Sequence, residues 1–358
     1  MFQKIQDWLE ERIHHRELVE RHLTGYRVPS NLSFWYSMGA VLLALLLIQF
    51  LTGILLLVYY IPHVEKAFDS VMAITFDIPF GWYIRRIHAT ASNLSVIVLI
   101  LHLLSTLILG SYKKPRELQW MSGCILFLLV LGASLSGYLL PWSQLAYWAT
   151  TVATNSTGAI PAFGDAIVHW MRGGEKVGQE TLGRFFAIHI SVIPLLLLLI
   201  VGLHLFFMRR TGISAPPLRQ AQGRIPRQGE EEKIPFVPHF ALEDLKVIYI
   251  FFALLTFFTF ILPQISIPED AWEPANPLLT PPHIKPEWYF LASYQFLKLV
   301  PNEFLGIFSQ ILFGLFLFLL PFIDRNPERH PANRKVFLTI VILGILAYIS
   351  LTIWGRLS

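Results

Sequence analysis

An all-α integral membrane protein is the fold class this sequence predicts: seven transmembrane helices, as a four-helix bundle and a three-helix C-terminal part. Three observations lead there. Only 15% of the 358 residues are charged, against about 25% in ordinary soluble domains. Hydrophobic residues make up 54% and mean hydropathy is +0.54. Seven apolar stretches, near 34–60, 84–109, 121–140, 183–208, 246–263, 304–323 and 336–354, are each long enough to cross hydrocarbon at roughly 20 residues per span.

In chain order, residues 1–30 place Phe2, Ile5, Leu9 and Ile13 at helical spacing among charges, which predicts an amphipathic helix on the membrane surface. Their charge and the lack of a long apolar core argue against a cleavable signal. Residues 31–210 hold the first four spans. Between the third and fourth, residues 141–182 carry Trp142, Tyr147, Trp148 and Trp170 but are broken by Gly and Pro, so short interfacial helices are expected. Polar, Pro-rich residues 211–240 read as a linker, and 241–358 hold the last three spans. The one cysteine, Cys124, lies in an apolar run and reads as a small buried residue. Of the 28 Lys and Arg, 19 fall on the side holding the N-terminus and nine on the other. The positive-inside rule then places the N-terminus in the cytoplasm and makes the chain a multi-pass cell-membrane (inner or plasma membrane) protein.

The second span carries His88 and His102, 14 apart; the fourth carries His189 and His204, 15 apart. At about 1.5 Å and 100° per residue, each pair stays near one face and is separated by roughly 21–22 Å. Both spans run from outside to inside, so His88 lies level with His189 near the outside and His102 level with His204 near the inside. Two facing imidazoles at two depths suit the axial ligands of two non-covalent, bis-histidine haems. The competing reading is of polar residues bonding between helices. Gly39 and Gly53 in the first span, and Gly123 and Gly137 in the third, repeat the 14-residue step at the same depths. They serve either close helix packing or, with the histidines, slots for two macrocycles.

This pattern, with "SGYLLPWSQLAYW" at 136–148 and "PEWY" at 286–289, resembles the cytochrome b family of quinol-oxidising bc complexes over about residues 25–340. The 15-residue step, three spans after the linker and "RELVERHLTGYRVPSN" resemble the photosynthetic-type branch, with cytochrome b fused to subunit IV. The resemblance implies a quinol–cytochrome c (or plastocyanin-like acceptor) reductase subunit that carries out a Q cycle with proton translocation. Glu287 is then the quinol's proton acceptor, with Tyr138, Pro141, Trp142, Pro286, Trp288 and Tyr289 shaping the outer quinol pocket. It implies a Rieske-type iron–sulfur partner, a c-type cytochrome or similar acceptor, a homodimeric complex in membrane lipid, and no nucleic acid. Arg85 and Arg86 are either propionate partners or a basic flank of the span. Arg209 and His22 are either inner quinone-site residues or surface cations.

Two departures from the family pattern stand out. Ser37 occupies the place of the branch's haem-attaching cysteine, so no covalent haem is expected there. Ser105 replaces an arginine near the inner propionates, leaving Lys113 or Lys114 as substitutes. Two other classes compete: a dihaem membrane anchor of a dehydrogenase or hydrogenase, and a transporter whose histidines line a water path.

Overall fold

The computed structural model describes residues 2–14, 17, 20, 25–216, 233–265, 267–282 and 284–358. Among them are seven helices long and apolar enough to cross a membrane, matching the seven stretches read from hydropathy. In lipid each backbone polar group must be satisfied within its own segment, so apolar runs of this length become helices.

A short amphipathic helix, α1 (Phe2–Ile13), leads the chain. It exposes Ile5, Trp8 and Ile13, and the Arg12 guanidinium lies over the Trp8 ring. The spans are α2 (Met38–Leu57), α4 (Gly81–Ile108), α5 (Glu117–Leu139), α8 (Gln179–Thr211), α9 (Phe236–Ile261), α11 (Glu303–Ile323) and α12 (Lys335–Leu357). Shorter helices fill the turns: α3 (Ala67–Phe76), α6 (Gln144–Thr157), α7 (Gly164–Arg172) and α10 (Trp288–Leu299). The 141–182 segment thus forms two short helices. The Ser143 hydroxyl caps the first by accepting from the Ala146 amide.

The first four spans pack as two pairs, α2 on α4 and α5 on α8, with little contact between α4 and α5. The hollow between the pairs is the bundle's defining space. Span α9 covers the outside of the α2/α4 pair, where Met38, Val41, Leu45, Leu94 and Val98 bury against Val247, Phe251 and Leu255. The C-terminal part packs α10 between α11 and α12, with α11 reaching α5.

Two details depart from the sequence reading. The expected linker at 211–240 is in part outside the described residues, but its end is ordered. Strand β1 (Arg27–Pro29) pairs antiparallel with β2 (Lys233–Pro235), and a turn over Phe236–Phe240, with extended backbone at Val237, leads into regular helix from Ala241. The regular helix of the fifth span therefore starts at Ala241, ahead of the hydropathy boundary near 246, because Glu243, Asp244 and Lys246 mask its first turns. In α8 the regular helix widens to a π turn over Ile188–Val192. Pro194 lacks an N–H and its ring crowds the carbonyl four residues back, and a wider turn relieves that crowding. One such turn takes up one extra residue. It explains how a 15-residue step in α8 presents the same face as the 14-residue step in α4.

At the inner end, the α4–α5 and α11–α12 connections are joined by a buried ion cluster. Asp324 pairs with Lys113 at 2.9 Å and Arg334 at 2.8 Å, and the Tyr112 hydroxyl donates to it. Burial pushes the Asp324 carboxyl up, but these donors and cations hold it below its ordinary value. A depressed carboxylate stabilises the fold above its unfolded value near pH 4, and that contribution is lost as pH falls through the native value. Asp324→Asn leaves two buried cations without a counter-charge. It should cost about 3 kcal/mol, read as a lowered Tm of the detergent-solubilised protein at neutral pH, with the difference from wild type shrinking as pH is lowered past 4.

Candidate haem and quinol site

All four intramembrane histidines line one cavity of about 730 Å³ in the hollow between the helix pairs. At the outer depth the rings of His88 and His189 lie 6.4 Å apart between centroids, at 76° to one another. With metal–imidazole bonds of about 2 Å, an atom midway between two ring nitrogens fits that spacing. At the inner depth His102 and His204 line the same cavity.

The four glycines stand directly behind these rings. A Cβ built on Gly53 would lie 3.4 Å from His88 Cε1, on Gly39 3.8 Å from His102 Cε1, and on Gly123 3.4 Å from His204 Cε1. On Gly137 it would lie 2.6 Å from His189 Cε1, a clash. The matched depths read from sequence are therefore matched contacts: α2 glycines serve α4 histidines, and α5 glycines serve α8 histidines.

Hydroxyls not singled out in the sequence fix how three rings point. The Thr52 hydroxyl donates to the Ile48 carbonyl at 2.6 Å, so its oxygen accepts from His88 Nδ1 at 2.9 Å. Ser122 donates to Gln119 O and accepts from His204 Nδ1, both at 2.9 Å. Ser136 donates to Ala133 O at 3.1 Å and lies 3.2 Å from His189 Nδ1, which itself donates to the Ala133 carbonyl at 3.1 Å. With Nδ1 carrying the proton, Nε2 keeps its lone pair for a metal, the usual arrangement of a ligating histidine. Each hydroxyl immediately precedes the glycine behind the same ring. The signal was present as the dipeptides Thr52-Gly53, Ser122-Gly123 and Ser136-Gly137.

Toward the outer end the cavity is lined by Tyr138, Pro141, Glu287 and Tyr289. Glu287 stands at the start of α10, where its side chain makes no capping hydrogen bond and is left to face the cavity. Burial pushes its carboxyl up to about 7, against a smaller opposing effect of the Trp288 N–H. Burial, with the nearby Glu287, also raises the Tyr289 hydroxyl above its ordinary value. The Glu287 turn is held from several sides. The Trp288 indole donates to Asn93 Oδ1 of α4 at 2.7 Å, Tyr348 donates to the Tyr289 carbonyl at 3.2 Å, and the Gln144 amide donates to Leu279 O at 2.6 Å.

Other expected residues fall elsewhere. Trp142, Pro286 and Trp288 do not line the cavity: Trp142 is buried in a packing cluster with Tyr147, Leu182 and Phe185, and Trp288 is turned to Asn93. They shape the loops behind the pocket. Arg85 is buried, lines the cavity and donates to the Thr75 hydroxyl at 2.7 Å; Arg86 instead lies over the Trp82 ring. Arg209 stacks on Tyr26 at 4.0 Å, one layer outside the cavity. His22 lies outside the described residues. Ser37 is buried and outside the cavity lining. Lys113 is committed to Asp324 and is no free substitute at the inner end. The cation lining the adjoining 140 Å³ pocket beside His102, His204 and Ser105 is Arg116.

Comparison with known proteins adds an independent line. The family models "Cytochrome b/b6/petB" and "Cytochrome b(C-terminal)/b6/petD" match residues 23–212 and 274–358. A cytochrome b of Rickettsia prowazekii is 37% identical over 92% of this chain and 81% of its own length; that of Rhodospirillum rubrum is 37% identical over 92% and 80%. A cytochrome b/c1 of Bradyrhizobium diazoefficiens is 36% identical over 95% of this chain, which spans about half (49%) of that relative. A chain of a solved hyperthermophilic respiratory complex III superposes with a TM-score of 0.91 at 37% identity, covering 98% of this chain and 91% of that one.

The Gly137 contact makes a sharp prediction. Gly137→Ala forces the His189 ring or α5 to shift, so it should cost about 1–3 kcal/mol by overpacking, measured by thermal unfolding. Gly202→Ala, on α8 with open space around it, should leave the Tm nearly unchanged.

Proposed function

The chain belongs to the cytochrome b family, the membrane subunit of quinol–cytochrome c oxidoreductases, and from that premise we propose that it holds two b-type haems and oxidises quinol at its outer end. His88 with His189 would ligate one haem and His102 with His204 the other. Arg85, lining the cavity at the outer end, and Arg116, lining the adjoining pocket at the inner end, would pair with their propionates. When bound, the haems would supply one-electron transfer between the two depths.

The observation that carries the reading is that Glu287, Tyr138 and Tyr289 open onto the same cavity as both histidine pairs. A quinol bound there presents a hydroxyl to a buried carboxylate poised near neutral pH, which is what a general base needs. Oxidation of the quinol to quinone releases two protons with the two electrons, both on the outer side; Glu287 takes one of them and releases it outward. One electron leaves to a Rieske-type iron–sulfur protein and onward to a c-type cytochrome, partners in keeping with the complex III relative. The other crosses the membrane to a quinone at the inner end, for which Arg209 and His22 are the proposed site residues. Proton release outside and uptake inside then make a Q cycle, with the N-terminus cytoplasmic and two copies in the assembled complex. We also propose that both halves of the photosynthetic-type arrangement are fused here; its support is the 15-residue step and the three spans after the linker. A dihaem anchor would leave the Glu287 end of the cavity without a use.

Two experiments test this. A redox-titrated visible spectrum with pyridine haemochrome quantification should find two b-haems per chain at separate potentials and no covalent haem; one or none would overturn the ligand pairs. Glu287→Gln should lower quinol oxidation by roughly 10²-fold or more while sparing both haems. In the unmodified complex, Glu287 accepts a proton only when ionised. Its rate should therefore fall as pH drops through about 7, and an acid limb unmoved by Glu287→Gln would exclude Glu287 as the base.

A further inference from the structure

Three of the four histidines have Nδ1 within hydrogen-bond distance of a hydroxyl acceptor on the residue that precedes the glycine behind the ring. The fourth does not. His102 Nδ1 is buried with no hydrogen-bond partner. The glycine behind its ring is Gly39, and the residue before it is Met38, fully buried in the α2/α4/α9 core. Where the other three rings have Thr52, Ser122 and Ser136, the equivalent position 38 is a methionine, which has no hydroxyl, and among the described residues no group hydrogen-bonds the nitrogen. The difference is chemical and confined to one ligand of the inner pair.

A hydrogen bond accepted from Nδ1–H makes the imidazole a more basic ligand, which favours the oxidised iron and lowers its reduction potential; such bonds are among the levers a protein has on a haem. We infer that Met38 sets the inner haem's potential above the outer one's by withholding from His102 the hydroxyl acceptor that faces Nδ1 of each of the other three ligands. The inference rests on the haem assignment proposed above and deepens it. Both outer ligands are hydrogen-bonded, and one of the two inner ligands is not. The electron therefore meets the more oxidising centre on the inner side, and the outer-to-inner step runs downhill through a difference built into one side chain.

The test is redox titration of the b-haem visible bands in the purified complex of three variants. Met38→Thr offers His102 a hydroxyl at the equivalent position, and should lower the higher of the two midpoint potentials while leaving the lower one in place. Met38→Leu, which changes shape without adding a hydroxyl, should leave both where they are. Thr52→Val removes the partner of His88 and should raise the lower potential, an independent check if Met38→Thr fails to assemble. An unchanged or raised upper potential in Met38→Thr, or a shift of the same size in Met38→Leu, would overturn the inference; so would an unchanged lower potential in Thr52→Val. Fewer than two b-haems in the unmodified complex would instead sink the haem assignment, and the inference with it.

Discussion

A hydroxyl that gives its proton to its own helix and accepts one from an imidazole on the next is the interaction on which this structure turns. It does two things in a place without water. It satisfies a serine or threonine within the membrane, and it locks a histidine ring so that the unprotonated nitrogen faces the hollow between two helix pairs. The glycine that follows each hydroxyl lets the two backbones approach closely enough for the bond to form. Without that contact, buried histidines in lipid would be costly polar groups with no fixed direction. With it three of the four rings hold their direction toward the hollow, and His102 lines the same cavity without it.

The hollow itself follows from how the helices sort. The α2/α4 pair and the α5/α8 pair each bury apolar contacts within the pair and against α9 or α11, leaving between them a mostly apolar space into which the histidines and glycines are set among leucine, isoleucine, valine and phenylalanine side chains. That space continues outward to Glu287. The carboxylate's burial and its freedom from a capping bond come from one cause: the loop before α10 is stitched to α6 through Gln144, and α10 to α4 through Trp288 and Asn93, so the Glu287 turn is pressed against the bundle. The buried carboxylate at one end and the facing histidines along the length therefore depend on the same packing.

Much of this was legible in the sequence. Seven apolar runs gave seven helices, and the near-equal spacing of histidines and glycines gave their depths, because a membrane helix is regular enough for residue number to stand for height. What escaped was whatever depends on side-chain direction or on charge pairing across long gaps. Thr52, Ser122 and Ser136 looked like ordinary small polar residues; only the adjacent glycines set them apart. Lys113 read as available until Asp324, more than 200 residues later, was found holding it. Trp142 and Trp288 lie within the quoted motifs, yet they support the pocket from behind rather than lining it. The start of the fifth span was hidden because charges in its first turns are tolerated near the membrane surface.

The π turn in α8 has a wider meaning. Adding a residue to a regular helix rotates everything beyond it by about 100°, which in a bundle like this would swing one histidine of α8 out of the hollow. A single widened turn beside His189 absorbs the added residue locally, and the lower half of the helix keeps its face. The bundle can thus change the length of a ligand-bearing helix by one residue without redesigning its neighbours. The register of the site belongs to the cross-membrane alignment of rings and glycines rather than to any fixed count along the chain.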